Sequence, residues 1–229
     1  MPKKILVVVT SFEKYPEMNR PTGLWLGEAV HFVQKVEAAG YSVDYVSPKG
    51  GYTPIDPHSL EMAEPIDWKW YGNKDFMNRL GATLSPEKIN PDDYVAIYYA
   101  GGHGVVWDFP DNHKLQSIAR SIYENNGFVT SVCHGAVGLL NITLSDGTLL
   151  IKGRRVTGFS NEEENLAGLD KHVPYLTETE MRNRGARYEK ASEPWAAFAV
   201  EDDRVITGQN PASGGAVADL LLVALKKNA

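Results

Sequence analysis

Phe128-Val-Thr-Ser-Val132 runs without a spacer into Cys133-His134-Gly135. The first five residues are mostly apolar or β-branched and do not alternate with charged ones. That is the pattern of a strand covered on both faces of a parallel sheet. Ala136 to Leu140 opens a helix behind it. A sharp strand-to-helix turn lifts its central side chain above the sheet, and Cys133 occupies that position. A helix N-terminus beside the sulfur would favour the thiolate. The plain alternative is that a lone cysteine packs in the core, as many do. His134 can serve as general acid or base near the sulfur. Adjacent side chains usually diverge, so only the sharp turn would bring the two together.

Working outward, Lys4 to Thr10 and Tyr94 to Ala100 are two more buried-strand runs, and Ser42 to Val46 is a shorter one. Thr22 to Ala39 reads as a helix closed by Gly40, a favoured C-terminal stop. Lys114 to Asn125 and Tyr175 to Arg184 also read as helices. Ala197 to Val200 and Arg204 to Thr207 read as a hairpin. Asn210-Pro211 starts a last helix, with Val217, Leu220, Leu221 and Ala224 on its apolar face. Residues 47–90 hold five prolines and show weak periodicity. They are expected to form an excursion over the surface that caps a cleft. Strands alternating with helices predict one α/β domain over residues 1–229, a mostly parallel sheet with helices on both faces. Sites in such folds lie beyond the carboxyl ends of the strands.

The composition narrows the function. The 229 residues include 23 Lys and Arg against 29 Asp and Glu, a net charge of −6. Mild acidity argues against nucleic acid as a partner, because nucleic-acid binders carry basic patches. The longest unbroken apolar stretch, Tyr94 to Ala100, is far shorter than the ~20 residues needed to cross a bilayer. Lys3 and Lys4 precede only Ile5 to Val9, too short for a secretory signal core of about 7–15 residues. A cytoplasmic protein without membrane partners is expected. One cysteine excludes an internal disulfide and a multi-cysteine metal site. The six histidines never pair at i, i+3 or i+4, so no metal site is expected. No G-x-G-x-x-G or Gly-Lys-Ser/Thr pattern follows a strand, so no nucleotide cofactor is expected either.

Gly101-Gly102-His103-Gly104 follows the Tyr94–Ala100 strand. It is either a flexible turn or a place where backbone N–H groups approach a substrate oxygen. Glu28 lies three residues after Trp25 and four before Phe32, so it interrupts an aromatic stripe of its helix. A carboxylate there is either partly buried with a raised pKa or aimed into a cleft, unless the helix turns it to solvent. Ser160-Asn-Glu-Glu163 has capping-box spacing. Glu162, Glu163 and Glu164 suit a helix start, and one of them can orient His134.

Val132-Cys-His-Gly135 after a buried strand resembles the PfpI-like superfamily, which includes the parkinsonism-associated deglycase. Four further segments occur in the family's order: Thr22-Gly-Leu-Trp-Leu-Gly-Glu28, Ala100-Gly-Gly-His-Gly104, Val156-Thr-Gly-Phe159 and Thr207-Gly-Gln-Asn-Pro-Ala-Ser213. Together they are similar to the glutathione-independent glyoxalase III branch, also described as small heat-shock chaperones. The resemblance implies a flavodoxin-like three-layer sandwich and a cofactor-free, metal-free conversion of methylglyoxal and related 2-oxoaldehydes to lactate. It implies Cys133 as nucleophile, His134 beside it, Glu28 against the sulfur and Glu164 as triad acid. Gly102 and His103 are implied in substrate or oxyanion binding, with the backbone of His134. It also implies a homodimer. Ala136 departs from the proline that many relatives carry after Cys-His-Gly. The alternatives are a holdase chaperone, a protein deglycase or a redox sensor with an exposed low-pKa cysteine. An amidotransferase is disfavoured, because its late His-x-Glu is missing after His172. A peptidase has no recognisable groove.

Overall fold

The computed structural model describes residues 4–227. Six strands form the central sheet in the order β2-β1-β3-β4-β8-β7. They are β1 (Lys4–Val8), β2 (Ser42–Val46), β3 (Tyr94–Tyr99), β4 (Phe128–Val132), β7 (Ala199–Asp202) and β8 (Val205–Gly208). The first five in that order run parallel, and β7 returns antiparallel at one edge beside β8. β5 (Arg155–Val156) and β6 (Arg187–Tyr188) make a separate two-stranded pair. The flavodoxin-like sandwich is therefore present, with the predicted hairpin as β7 and β8.

Alternation along β1 sorts the core into two layers. Ile5 and Val7 face one layer, where α1 (Leu26–Ala38) and α9 (Gly214–Lys227) cover the sheet. Leu6 and Val8 face the other, packed by α5 (Val105–Asp108), α6 (His113–Glu124) and the 3₁₀ segment Cys133–Leu139. α9 buries Val217, Ala218, Leu221, Ala224 and Leu225, leaving Leu220 half-buried, so its face is rotated slightly from the predicted one. Among the described residues no helix is long and apolar enough to cross a membrane.

Three local expectations change. α1 begins at Leu26, because Leu24 instead bridges the 47–90 segment: its N–H donates to Pro54 O, and Asp56 N–H donates back to Leu24 O. That segment is also more regular than its periodicity suggests. It holds α2 (Pro57–Glu61), α3 (Pro65–Tyr71) and α4 (Lys74–Gly81), each with an Asp, Glu or Asn at its N-cap. Finally, the segment behind Cys133 is a 3₁₀ turn in place of an α-helix. Gly135 there lies so close to β3 that a Cβ would sit 2.2 Å from Tyr99 O.

Candidate active site

Cys133 leaves β4 with φ +55, a left-handed conformation rare for a residue with a side chain. Such strain persists only where the surroundings enforce it, and it is common at reactive turns. The turn overcomes the divergence expected of neighbours: Cys133 Sγ lies 3.4 Å from His134 Nδ1. On the far side of the ring, His134 Nε2 lies 2.6 Å from Glu164 Oε2. Glu164 belongs to α7 (Asn161–Leu166), whose start carries the predicted Ser160–Glu163 capping box.

The other oxygen of Glu164 meets a second ring, with His103 Nε2 2.7 Å from Oε1. Burial alone would raise the Glu164 carboxyl, but the two imidazoles outweigh it and hold it far below the usual carboxylate range. An ionised acceptor requires the proton on each Nε2. His134 Nδ1 is then left as an acceptor facing the thiol. Burial, reinforced by His103, pushes the His134 pKa below its ordinary value, so the ring is neutral at pH 7. The His103 ring is engaged with the Glu164 carboxylate. His103 also lines the cavity, and its pairing with Glu164 is a contact that sequence spacing did not reveal.

Glu28 is fully buried in the first turn of α1, as its aromatic stripe foretold. Its Oε2 accepts the Gly101 N–H at 2.8 Å, and the carboxyl meets the Cys133 thiol. Burial lifts its pKa to about 8 against those two hydrogen bonds. The thiol departs from expectation. Its pKa is pushed up by burial and by the Glu28 charge, and only the His134 N–H pulls it down. Desolvation outweighs the short 3₁₀ terminus, so the resting state is a thiol, not the expected thiolate. Cys133 is 2% exposed. A redox sensor would need an exposed, acidic thiol.

Cys133, His134, His103 and Gly102 line one cavity of about 580 Å³. Gly102 has φ +100, and a Cβ on it would lie 2.2 Å from Gly23 O, so only glycine fits this floor. The 47–90 excursion supplies one wall through Asp56, His58 and Asp67. Phe159 packs on the His134 ring, centroids 4.3 Å apart. His103, His134 and Glu164 also bring ligand atoms within 4.8 Å of one another, a grouping able to hold a metal ion. The histidine spacing argument missed it because the three residues come from three separate segments.

Glu163, beside Glu164, holds the outer wall of this cluster. Its Oε1 accepts from Trp195 N at 2.9 Å, Gln209 Nε2 at 3.0 Å and Asn210 Nδ2 at 2.9 Å. Its Oε2 accepts the Ser160 hydroxyl at 2.8 Å. Glu163→Ala would remove the acceptor of the buried Gln209 amide and Ser160 hydroxyl and of the part-buried Trp195 N–H, while Asn210 Nδ2 keeps Ala196 O; each buried donor left unpaired costs about 1–3 kcal/mol. The expected loss is roughly 3–5 kcal/mol, read as a fall in the denaturant midpoint.

Residues 24–223 match the profile of the DJ-1/PfpI family. Glutathione-independent glyoxalase HSP31 of Saccharomyces cerevisiae is 34% identical, over 98% of this chain and 99% of that protein. Glyoxalase 3 of Candida albicans is 30% identical, over 98% and 99%. Among solved structures, glyoxalase III from Candida albicans superposes with a TM-score of 0.89 at 28% identity, covering 96% of both chains. Rapid Encystment Protein 24 kDa of Francisella tularensis superposes with a TM-score of 0.93 at 36% identity, covering 97% of this chain and 98% of that one. With Cys133, His134 and Glu164 in contact on a flavodoxin-like sheet and a family match across most of its length, this chain belongs to the DJ-1/PfpI family.

Proposed function

We propose that this protein is a glutathione-independent glyoxalase that converts methylglyoxal and related 2-oxoaldehydes to 2-hydroxy acids, with Cys133 as nucleophile. The observation that carries this reading is the meeting of two separately tuned groups on one sulfur. A neutral imidazole acceptor lies on one side, and a buried carboxyl of pKa about 8 on the other. The reaction needs both a thiol activator and a second base for a carbon-bound proton.

His134 Nδ1 takes the thiol proton as the sulfur bonds to the aldehyde carbon, C1. The imidazolium so formed faces the ionised Glu164. The amides of Gly102 and His134 are the donors for the developing oxyanion; loss of one such donor typically costs about 3–4 kcal/mol. His134 then protonates that oxygen, giving the hemithioacetal. Glu28, as carboxylate, removes the hydrogen on C1 as a proton and delivers it to C2 through an enediol. The hydroxyl proton passes from the oxygen on C1 to the oxygen on C2. C1 is thereby oxidised to a thioester while C2 is reduced to an alcohol, so no external redox partner is required. Water adds to C1, the C–S bond breaks, and the sulfur recovers its proton as the acid leaves.

The test is purified protein with methylglyoxal in D₂O, without glutathione or added metal, followed by NMR. Lactate carrying deuterium at C2 is expected, because the carried proton exchanges on the enediol route. Consumption of methylglyoxal without lactate would overturn the reading.

A further inference from the structure

The cavity is far too large for methylglyoxal. A five-heavy-atom aldehyde fills on the order of 100 Å³ if each heavy atom takes at most the ~30 Å³ share of a water molecule. The cavity offers about 580 Å³, within the range of drug-sized ligands. The surplus volume has a direction. Phe159 packs on the catalytic His134 ring, and Trp195 follows Phe159 with centroids 5.8 Å apart, so a row of rings climbs from the floor. Trp195 stands at the rim, 45% exposed, and two further exposed apolar side chains, Met62 and Leu166, line the same cavity. Clustered exposed apolar groups around a concavity mark a binding surface.

Trp195 is also held there against backbone preference. Its φ is +66, a conformation unfavourable for a bulky residue that survives only when over-determined. The buried Glu163 carboxylate grips its N–H and thereby fixes the ring at the rim. The same lining carries Asp56, Glu64 and Asp67 against Arg20, with His58 and with His31, whose Nε2 lies 3.0 Å from Asp67 Oδ1. That balance disfavours an anionic tail.

We infer that Trp195 is a specificity-determining residue and that the site is shaped for 2-oxoaldehydes bearing a bulky, uncharged apolar group. This inference rests on the glyoxalase reading above. With the aldehyde carbon at Cys133, such a group would extend past Phe159 to the Trp195 ring, a contact that methylglyoxal is too short to make.

The experiment compares initial rates on phenylglyoxal, read as mandelate, with those on methylglyoxal, read as lactate, for wild type, Trp195→Gly and Trp195→Phe. Glycine suits a positive φ, so Trp195→Gly removes the ring without added backbone strain, and its thermal midpoint checks the fold. Wild type should favour phenylglyoxal by about tenfold or more in kcat/KM, chiefly through KM, as expected of one aromatic contact. Trp195→Gly should lower that preference about tenfold, and Trp195→Phe should restore most of it. A wild-type enzyme that turns over methylglyoxal without favouring phenylglyoxal, or a preference unchanged in Trp195→Gly, would overturn the inference alone. Wild type that converts neither aldehyde would overturn the glyoxalase reading and this inference with it.

Discussion

Cys133→Ala is expected to abolish glutathione-free conversion of methylglyoxal, lowering kcat/KM on the order of 10⁴-fold or more, as loss of a covalent nucleophile does. The remaining residues still bind and polarise the aldehyde, but no C–S bond forms, so the thioester is never reached. The fold should persist. Alanine keeps the Cβ at φ +55 and removes only a buried sulfur, a change of about 1 kcal/mol. A thermal midpoint within roughly 2–4 °C of wild type would follow for a domain this size. Alkylation offers an independent check. Because burial raises the thiol pKa, iodoacetamide should react slowly at pH 7 and faster as pH rises. Lactate formation by a folded Cys133→Ala protein at the wild-type rate would dismiss the covalent route.

Glu28→Gln should be nearly inactive and, at high pH, more stable than wild type. The amide still accepts the Gly101 N–H but cannot take a proton from carbon, so a loss of about 10²–10⁴-fold is expected. In wild type the base must be ionised, so kcat/KM should climb with a limb near pH 8, and the variant's residual activity should lack it. The stability effect has a definite sign. The folded carboxyl titrates at about 8 and the unfolded one near its ordinary value of 4.5. Between those values the folded chain holds the extra proton, so stability falls as pH rises and the deficit is complete above about 8. At roughly 1.4 kcal/mol per pH unit, wild type loses up to about 5 kcal/mol across that window. Glutamine has no proton to lose. Urea unfolding at pH 5 and pH 9 measures the difference. Parallel pH dependences for the two proteins would remove the buried-carboxyl argument.

The chemistry of the two expected losses was legible in the chain to different degrees. Glu28 could be picked out because the sequence spacing sets it between Trp25 and Phe32; in the folded chain Trp25 is the extended, half-buried residue before α1, and it is the buried first turn with Phe32 that turns the carboxyl inward. The Cys133 turn was legible because an apolar β-branched run stops at a Cys-His-Gly. The ionisation of the sulfur was not. A helix N-terminus argues for a thiolate, whereas burial in the folded chain, reinforced by the Glu28 carboxyl, holds the thiol pKa up, and that wins. His103 and Trp195 were missed in their present roles for a related reason. A glycine-rich turn does not say which carboxylate its histidine will meet, and no periodicity marks Trp195 at φ +66 over a cavity.

Local pattern alone determined the strands, the main helices, the turning residue and the capping box at Ser160, because each depends on contacts a few residues apart or on a face shared along one element. The strand order, the meeting of His103 and His134 on Glu164, the protonation states and the depth of the pocket were decided only in the folded chain. Those depend on segments far apart in sequence and on the exclusion of water between them, and no local rule contains either.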